Sequence, residues 1–94
     1  MNNAERLLLE LCDEQAKDDS DMSRLTPDMF QLEMTSFAQT ILSLQDAGYI
    51  TGAFISQPTT DGEGVWFSNL RNVWVTENGV QKARQLLEGL SKSS

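Results

Sequence analysis

The apolar spacing of this chain changes period twice, and those two changes are what most constrain its fold. Phe37, Ile41 and Leu44 recur at three-to-four spacing, one face of a helix, with Ala38 at its edge and Leu42 between faces. Gly48 is the expected stop. Residues 49–56, rich in β-branched and aromatic side chains, then predict a strand. The opposite change follows Val73-Trp74-Val75, a short strand-like piece. Thr76 is a helix N-cap, and Val80, Ala83, Leu86, Leu87 and Leu90 form a helical stripe. Gly79 weakens that last helix by about 1 kcal/mol relative to Ala, so a tertiary contact is expected to offset it.

The remaining segments complete the element order. A first helix spans residues 3–17, with Ala4, Leu7, Leu8, Leu11 and Cys12 on one stripe and Leu9 on its flank. Residues 18–23 form a polar, acidic loop. A short second helix starts at Thr26, with Pro27 in its first position and Asp28 suited to the positive helix end; Met29, Phe30 and Leu32 or Met34 turn inward. Residues 57–64 are a turn-rich loop holding Pro58 and Asp61-Gly62, and residues 65–67 are a further strand-like piece. The order is helix, short helix, helix, hairpin, helix. It predicts an α+β winged helix-turn-helix: a three-helix core, a β-hairpin wing and a C-terminal helix. The third helix takes the recognition position and residues 57–64 the wing. An unrelated α+β domain with a meander is the alternative. Ninety-four residues make one domain, 1–94, with an ordered core of about 3–90.

Catalytic equipment is sparse. With no His, Ser-His and Cys-His nucleophiles and the commonest general base are excluded. Cys12, on the apolar stripe, reads as a small hydrophobe, and one Cys without His leaves no zinc site. Asp13, Glu14, Asp18, Asp19 and Asp21 do not make a calcium loop, because Arg24 stands where the EF-hand needs Gly and Phe30 where it needs Glu; a solvated acidic loop is the better reading. No phosphate-binding glycine motif is present. The expectation is a non-enzymatic protein with no cofactor, no metal and no small-molecule substrate. Lacking a secretory leader, a membrane-length apolar run and a disulfide pair, it is expected in the cytoplasm and off the membrane.

Charge then ranks the partners. Fourteen acids face seven bases, and residues 1–34 alone carry nine acids and three bases. The third helix has no Lys or Arg, although Ser36, Gln39, Thr40 and Ser43 on its outer face are the types that read base edges, and Arg71 lies in the hairpin region. Phosphate contacts supply most DNA affinity, so their absence disfavours nucleic acid. A protein partner, or self-association, is therefore the leading expectation, and a DNA-binding regulator using the third helix and the wing is the runner-up. Two surfaces are candidates for protein binding: the acidic loop with Asp18, Asp19 and Asp21, and the hairpin around Trp66 and Trp74. Strand alternation sets Trp66 opposite Val65 and Phe67, and Trp74 opposite Val73 and Val75. Either set can face the core; large aromatics dominate small cores, which favours the tryptophans inside.

Phe37-Ala38-Gln39-Thr40-Ile41-Leu42-Ser43-Leu44-Gln45-Asp46-Ala47-Gly48-Tyr49-Ile50-Thr51-Gly52 has the form F-x3-I-x2-L-x3-G-Y-I-x-G, followed downstream by Val75-Thr76-Glu77-Asn78-Gly79. The pair resembles the YjcQ-like family of small winged-helix proteins from Gram-positive bacteria and their phages. In that family a helix closes on Gly-Tyr-Ile-x-Gly and a Leu-Thr-Glu-Lys-Gly element opens the final helix. This chain departs at Val75 and Asn78. Both motifs are structural: one ends a helix and starts a strand, the other ends a strand and caps a helix. The resemblance implies a winged helix, a bacterial or phage origin and a binding role, and it names no ligand.

Overall fold

Asn2 starts the chain's first helix by a reciprocal pair of bonds in the computed structural model, which describes residues 2–59 and 64–92, with side chains up to residue 89. The Glu5 N–H donates to Asn2 Oδ1 at 2.8 Å, and the Asn2 N–H donates to the Glu5 carboxylate at 3.1 Å. Helix α1 (Asn3–Gln15) follows, two residues shorter than its spacing predicts. It buries Leu7, Leu8 and Leu11 as expected and half-buries Ala4, Leu9 and Cys12.

The expected second helix does not form. Residues 22–24 and 27–30 make two 3₁₀ turns, and Gln31 takes a left-handed conformation with φ 56°. Thr26 makes no side-chain cap bond. One turn held by Pro27 and Phe30 cannot recover the cost of helix nucleation, so the segment stays tight and short. Phe30 is buried against Phe37, ring centroids 6.2 Å apart, while Met29, expected inside, is exposed. Helix α2 (Met34–Asp46) then buries Phe37, Ala38, Ile41 and Leu44, the face its spacing predicts.

Among the described residues four short strands make two antiparallel ladders: β1 (Ile50–Thr51) with β4 (Trp74–Val75), and β2 (Phe54–Ser56) with β3 (Phe67–Asn69). They are two stretches of one bent hairpin. Ile50 pairs with Val75 and Thr51 with Trp74; beyond the bend Phe54 pairs with Asn69, Ile55 with Ser68 and Ser56 with Phe67. At the bend, residues 52–53 oppose residues 70–73. Gly52 makes this possible with φ 83°, and a Cβ there would lie 2.2 Å from the Asn72 carbonyl oxygen. The single strand expected over 49–56 is thereby cut in two, and the strand expected at 65–67 begins only at Phe67. Asp61, Gly62 and Glu63, at the tip of the expected wing, lie outside the described residues.

Helix α3 (Glu77–Lys92) closes the chain. Its start is a joint between the two sequence motifs. The Thr76 hydroxyl donates to the Gly48 carbonyl at 2.6 Å and accepts from the Gly79 N–H at 3.2 Å, while the Thr76 N–H donates to the Tyr49 carbonyl at 3.0 Å. Gly79 packs so closely that a Cβ would meet the Tyr49 carbonyl oxygen at 2.1 Å and Val75 Cγ1 at 2.7 Å. This is the tertiary contact that offsets the glycine. Ala83 is buried and Val80 and Leu86 half-buried, but Leu87, placed inside by periodicity, is exposed. The Leu90 side chain lies outside the described set. The architecture among the described residues is α+β, with three α-helices and two small antiparallel ladders around one core of Leu7, Leu8, Leu11, Phe37, Ile41, Leu44, Ile50 and Val75.

Candidate interaction surface

The bend at Gly52 decides which hairpin side chains reach solvent. In β1 and β4, Ile50 and Val75 face the core, so their neighbours Thr51 and Trp74 face out. Continued alternation would bring Phe54 inside. Instead alternation breaks on both strands, at Gly52 with its positive φ and at the turn of residues 71–72, and beyond the break Phe54 and Phe67 face out while their neighbours Ile55 and Ser68 face in. The outer face thus shows Trp74 at 60% exposure, Phe54 at 62% and Phe67 at 44%, with Val65 at 73% beside the start of β3.

This corrects, at β4, the placement favoured from sequence: Val73 and Val75 hold the core positions and Trp74 is outside. Ahead of β3 the placement holds in part, with Trp66 half-buried and Val65 and Phe67 exposed. Phe54 is an exposed aromatic that continued alternation from Ile50 would place inside. The signal for it is Gly52, which marks a break in the strand.

Two glutamines absent from the sequence-level candidates hold the arm in place. Gln15, at the end of α1, donates its amide to the Val75 carbonyl at 3.3 Å and accepts the Val75 N–H at 2.7 Å. Gln45, near the end of α2, accepts the Ala53 N–H at 2.9 Å and donates to the Ala53 carbonyl at 3.5 Å. Each side-chain amide replaces a neighbouring strand, satisfying backbone groups of β4 at Val75 and of the bend at Ala53. Nothing in their spacing announces this.

The second candidate surface is more tied down than its composition implies. Asp18, Asp19 and Asp21 are exposed. Glu14, grouped with them as a solvated acid, is buried: its carboxylate accepts the Asp21 N–H at 3.0 Å, the Lys17 ammonium at 3.1 Å and the Arg24 guanidinium at 3.5 Å. The Asp21 backbone bond and Lys17 hold its carboxyl below the usual carboxylate range. Asp21 in turn accepts the Ser23 hydroxyl and N–H, which lower its own value, and Arg24 reaches Asp19 at 3.4 Å. The carboxylates staple the loop. Among the described residues no group of three or more such side chains is placed to hold a metal ion. Cys12 is half-buried, and desolvation raises its thiol pKa.

On α2, only Gln39 and Ser43 of the candidate base-reading residues are exposed. Ser36 and Thr40 are half-buried, and the Thr40 hydroxyl donates to the Ser36 carbonyl at 2.7 Å. Ser43 borders a cleft of about 260 Å³ shared with the start of α1, Tyr49 and Lys82. Arg71 sits on the turn between β3 and β4, where its N–H donates to Asn69 Oδ1 and its charge helps depress the Asp21 carboxyl.

A family model described as YjcQ protein matches residues 6–84, a span that takes in most of α1, both motifs and the bent hairpin. No curated protein and no solved structure matches the chain. Among the described residues, no helix is long and apolar enough to cross a membrane.

Proposed function

Since the chain belongs to the YjcQ family, we propose that it is a winged-helix interaction module, without catalytic activity, whose hairpin binds another protein. The observation that carries this reading is the outer face of the hairpin, where Trp74, Phe54 and Phe67 lie exposed on paired strands. Large aromatics left in water on a rigid strand pair are the anchors that dominate protein interfaces. The exposed acids Asp18, Asp19 and Asp21 add steering and salt dependence rather than binding energy.

DNA reading by α2 is the second proposal, favoured by the exposed Gln39 and Ser43. It lacks the phosphate contacts: α2 holds no Lys or Arg, and the chain carries a net charge of −7. The test is a pull-down from the source cell with the unaltered protein and with Trp74→Ala. A protein held by the first and lost by the second, at an unchanged circular dichroism melt, supports the protein-binding role. A hot-spot anchor should take at least about 2 kcal/mol of affinity with it. Equal capture by both proteins would remove Trp74 from the interface and overturn the proposed surface.

A further inference from the structure

One buried polar group remains unexplained. Ser68 is 7% exposed, on the inner face of β3, and its hydroxyl is shielded from water and meets no hydrogen-bond partner among the described residues. An unmade bond of this kind is destabilising, and native structures contain few of them. Ser68 also forms part of the wall of a cleft of about 240 Å³ between β3, the segment around Leu25 and Pro27, and the first turns of α2.

The cleft wall runs from buried apolar residues to an exposed polar rim. Its most buried walls are Leu25, Phe37, Leu70 and Ser68; Ser23, Thr26, Phe67 and Asn69, all exposed, stand at its rim. Among the described residues no charged side chain lines it. Drug-sized ligands occupy pockets of roughly 300–1,000 Å³, so this cleft is the size of one side chain rather than of a cofactor. Phe67 belongs both to its rim and to the exposed aromatic face, so the two are continuous. We propose that the cleft is a socket for one tyrosine side chain of the protein that docks on the hairpin. The ring fills the apolar walls, and the phenol, at the far tip, meets Ser68 Oγ, which needs only a change of staggered rotamer to turn toward it. Phenylalanine would leave the serine unsatisfied, and a charged side chain would find no counter-charge. This socket rests on the protein-binding role of the hairpin.

The experiment titrates isotope-labelled protein with p-cresol, with toluene and with N-acetyl-tyrosinamide, following backbone amide shifts. Expected are saturable shifts at Leu25, Ser68, Asn69 and Leu70 with p-cresol and N-acetyl-tyrosinamide. Toluene should bind about 2- to 10-fold more weakly, the worth of one neutral hydrogen bond. This comparison needs no variant. Ser68→Ala should melt no lower than the unaltered protein and lose the preference for p-cresol over toluene. A lower melt would show that the hydroxyl already has a partner, such as an ordered water, and overturns the socket. So does an absence of cleft shifts, or their appearance only at Trp74 and Phe54. Binding of p-cresol without N-acetyl-tyrosinamide overturns it too, in favour of free small molecules. Failure here with a Trp74-dependent partner still captured removes the socket alone; ring binding without such a partner removes the protein-docking role.

Discussion

Gly79 is the residue at which two local preferences meet and the tertiary one wins. A helix interior favours Ala over Gly by about 1 kcal/mol, and Gly79 lies in the first turn of α3. Yet the space a Cβ would need is taken by the Tyr49 carbonyl and Val75 Cγ1. Backbone oxygen cannot step aside as the end of a flexible side chain would. Gly79→Ala is therefore expected to destabilise by about 1–3 kcal/mol, the range for overpacking, despite its better helix propensity. Urea denaturation followed by circular dichroism checks this, and an increase in stability would mean that α3 and the Gly48–Tyr49 corner are not in contact. The same corner explains why the two sequence motifs occur together. Gly48, Tyr49, Thr76 and Gly79 are four parts of one joint, bonded across 28 residues from the Gly48 carbonyl to the Thr76 hydroxyl.

At the scale of elements, the acidic loop is held by charge and the α2 face by packing, and they should fail under different stresses. Glu14 and Asp21 both have carboxyl values lowered in the folded chain. A depressed carboxyl binds fewer protons folded than unfolded, so its stabilisation is present above the usual carboxylate range. It is lost as pH falls through the folded-state values. Lys17, raised by its bond to Glu14, contributes in the opposite sense, losing its share only as pH rises through the raised ammonium value. A melt series from neutral pH to about pH 3 should fall on the acid side, and Glu14→Gln should flatten that fall while lowering the melt at neutral pH. An identical acid limb in the variant would show the staple to be inert. In α2, Ile41 is fully buried and Ser43 exposed. Ile41→Ala should cost about 2–5 kcal/mol, and Ser43→Ala should stay within about 0.5 kcal/mol. Comparable losses at the two sites, in chemical denaturation, would mean a rotated helix.

For the whole molecule the dominant fact is the charge. A net −7, concentrated in residues 1–34, repels polyanions over a Debye length of about 8 Å at physiological salt. The chain should flow through a heparin column at about 0.15 M salt and bind random duplex DNA more weakly than about 1 µM in an anisotropy titration. Tighter binding would favour α2 as a recognition helix and set aside the hairpin. The same field leaves the aromatic face as the surface where a protein partner can gain most, because burying Trp74 and Phe54 brings apolar area out of water at roughly 25 cal/mol per Å².

The sequence by itself determined the elements whose side chains repeat with a fixed period and whose ends are marked by a residue of special conformation. The buried faces of α1 and α2, the stop at Gly48, the Thr76 cap and the conflict at Gly79 were all legible on that basis, as was the family. Tertiary structure decided the rest. A four-residue segment such as Pro27–Phe30 has too few helical bonds to choose its own form, so its neighbours chose it. The Glu14 carboxylate is buried because Asp21, Lys17 and Arg24 converge on it, and no spacing records that convergence. The outward turn of Trp74, Phe54 and Phe67 has the same origin. Side chains alternate only while a strand stays extended, and the positive φ of Gly52, opposite the turn at residues 71–72, breaks that run before Phe54 and Phe67. The break in alternation at the bend placed Phe54 and Phe67 in solvent, and the burial of Val75 against the core placed Trp74 there.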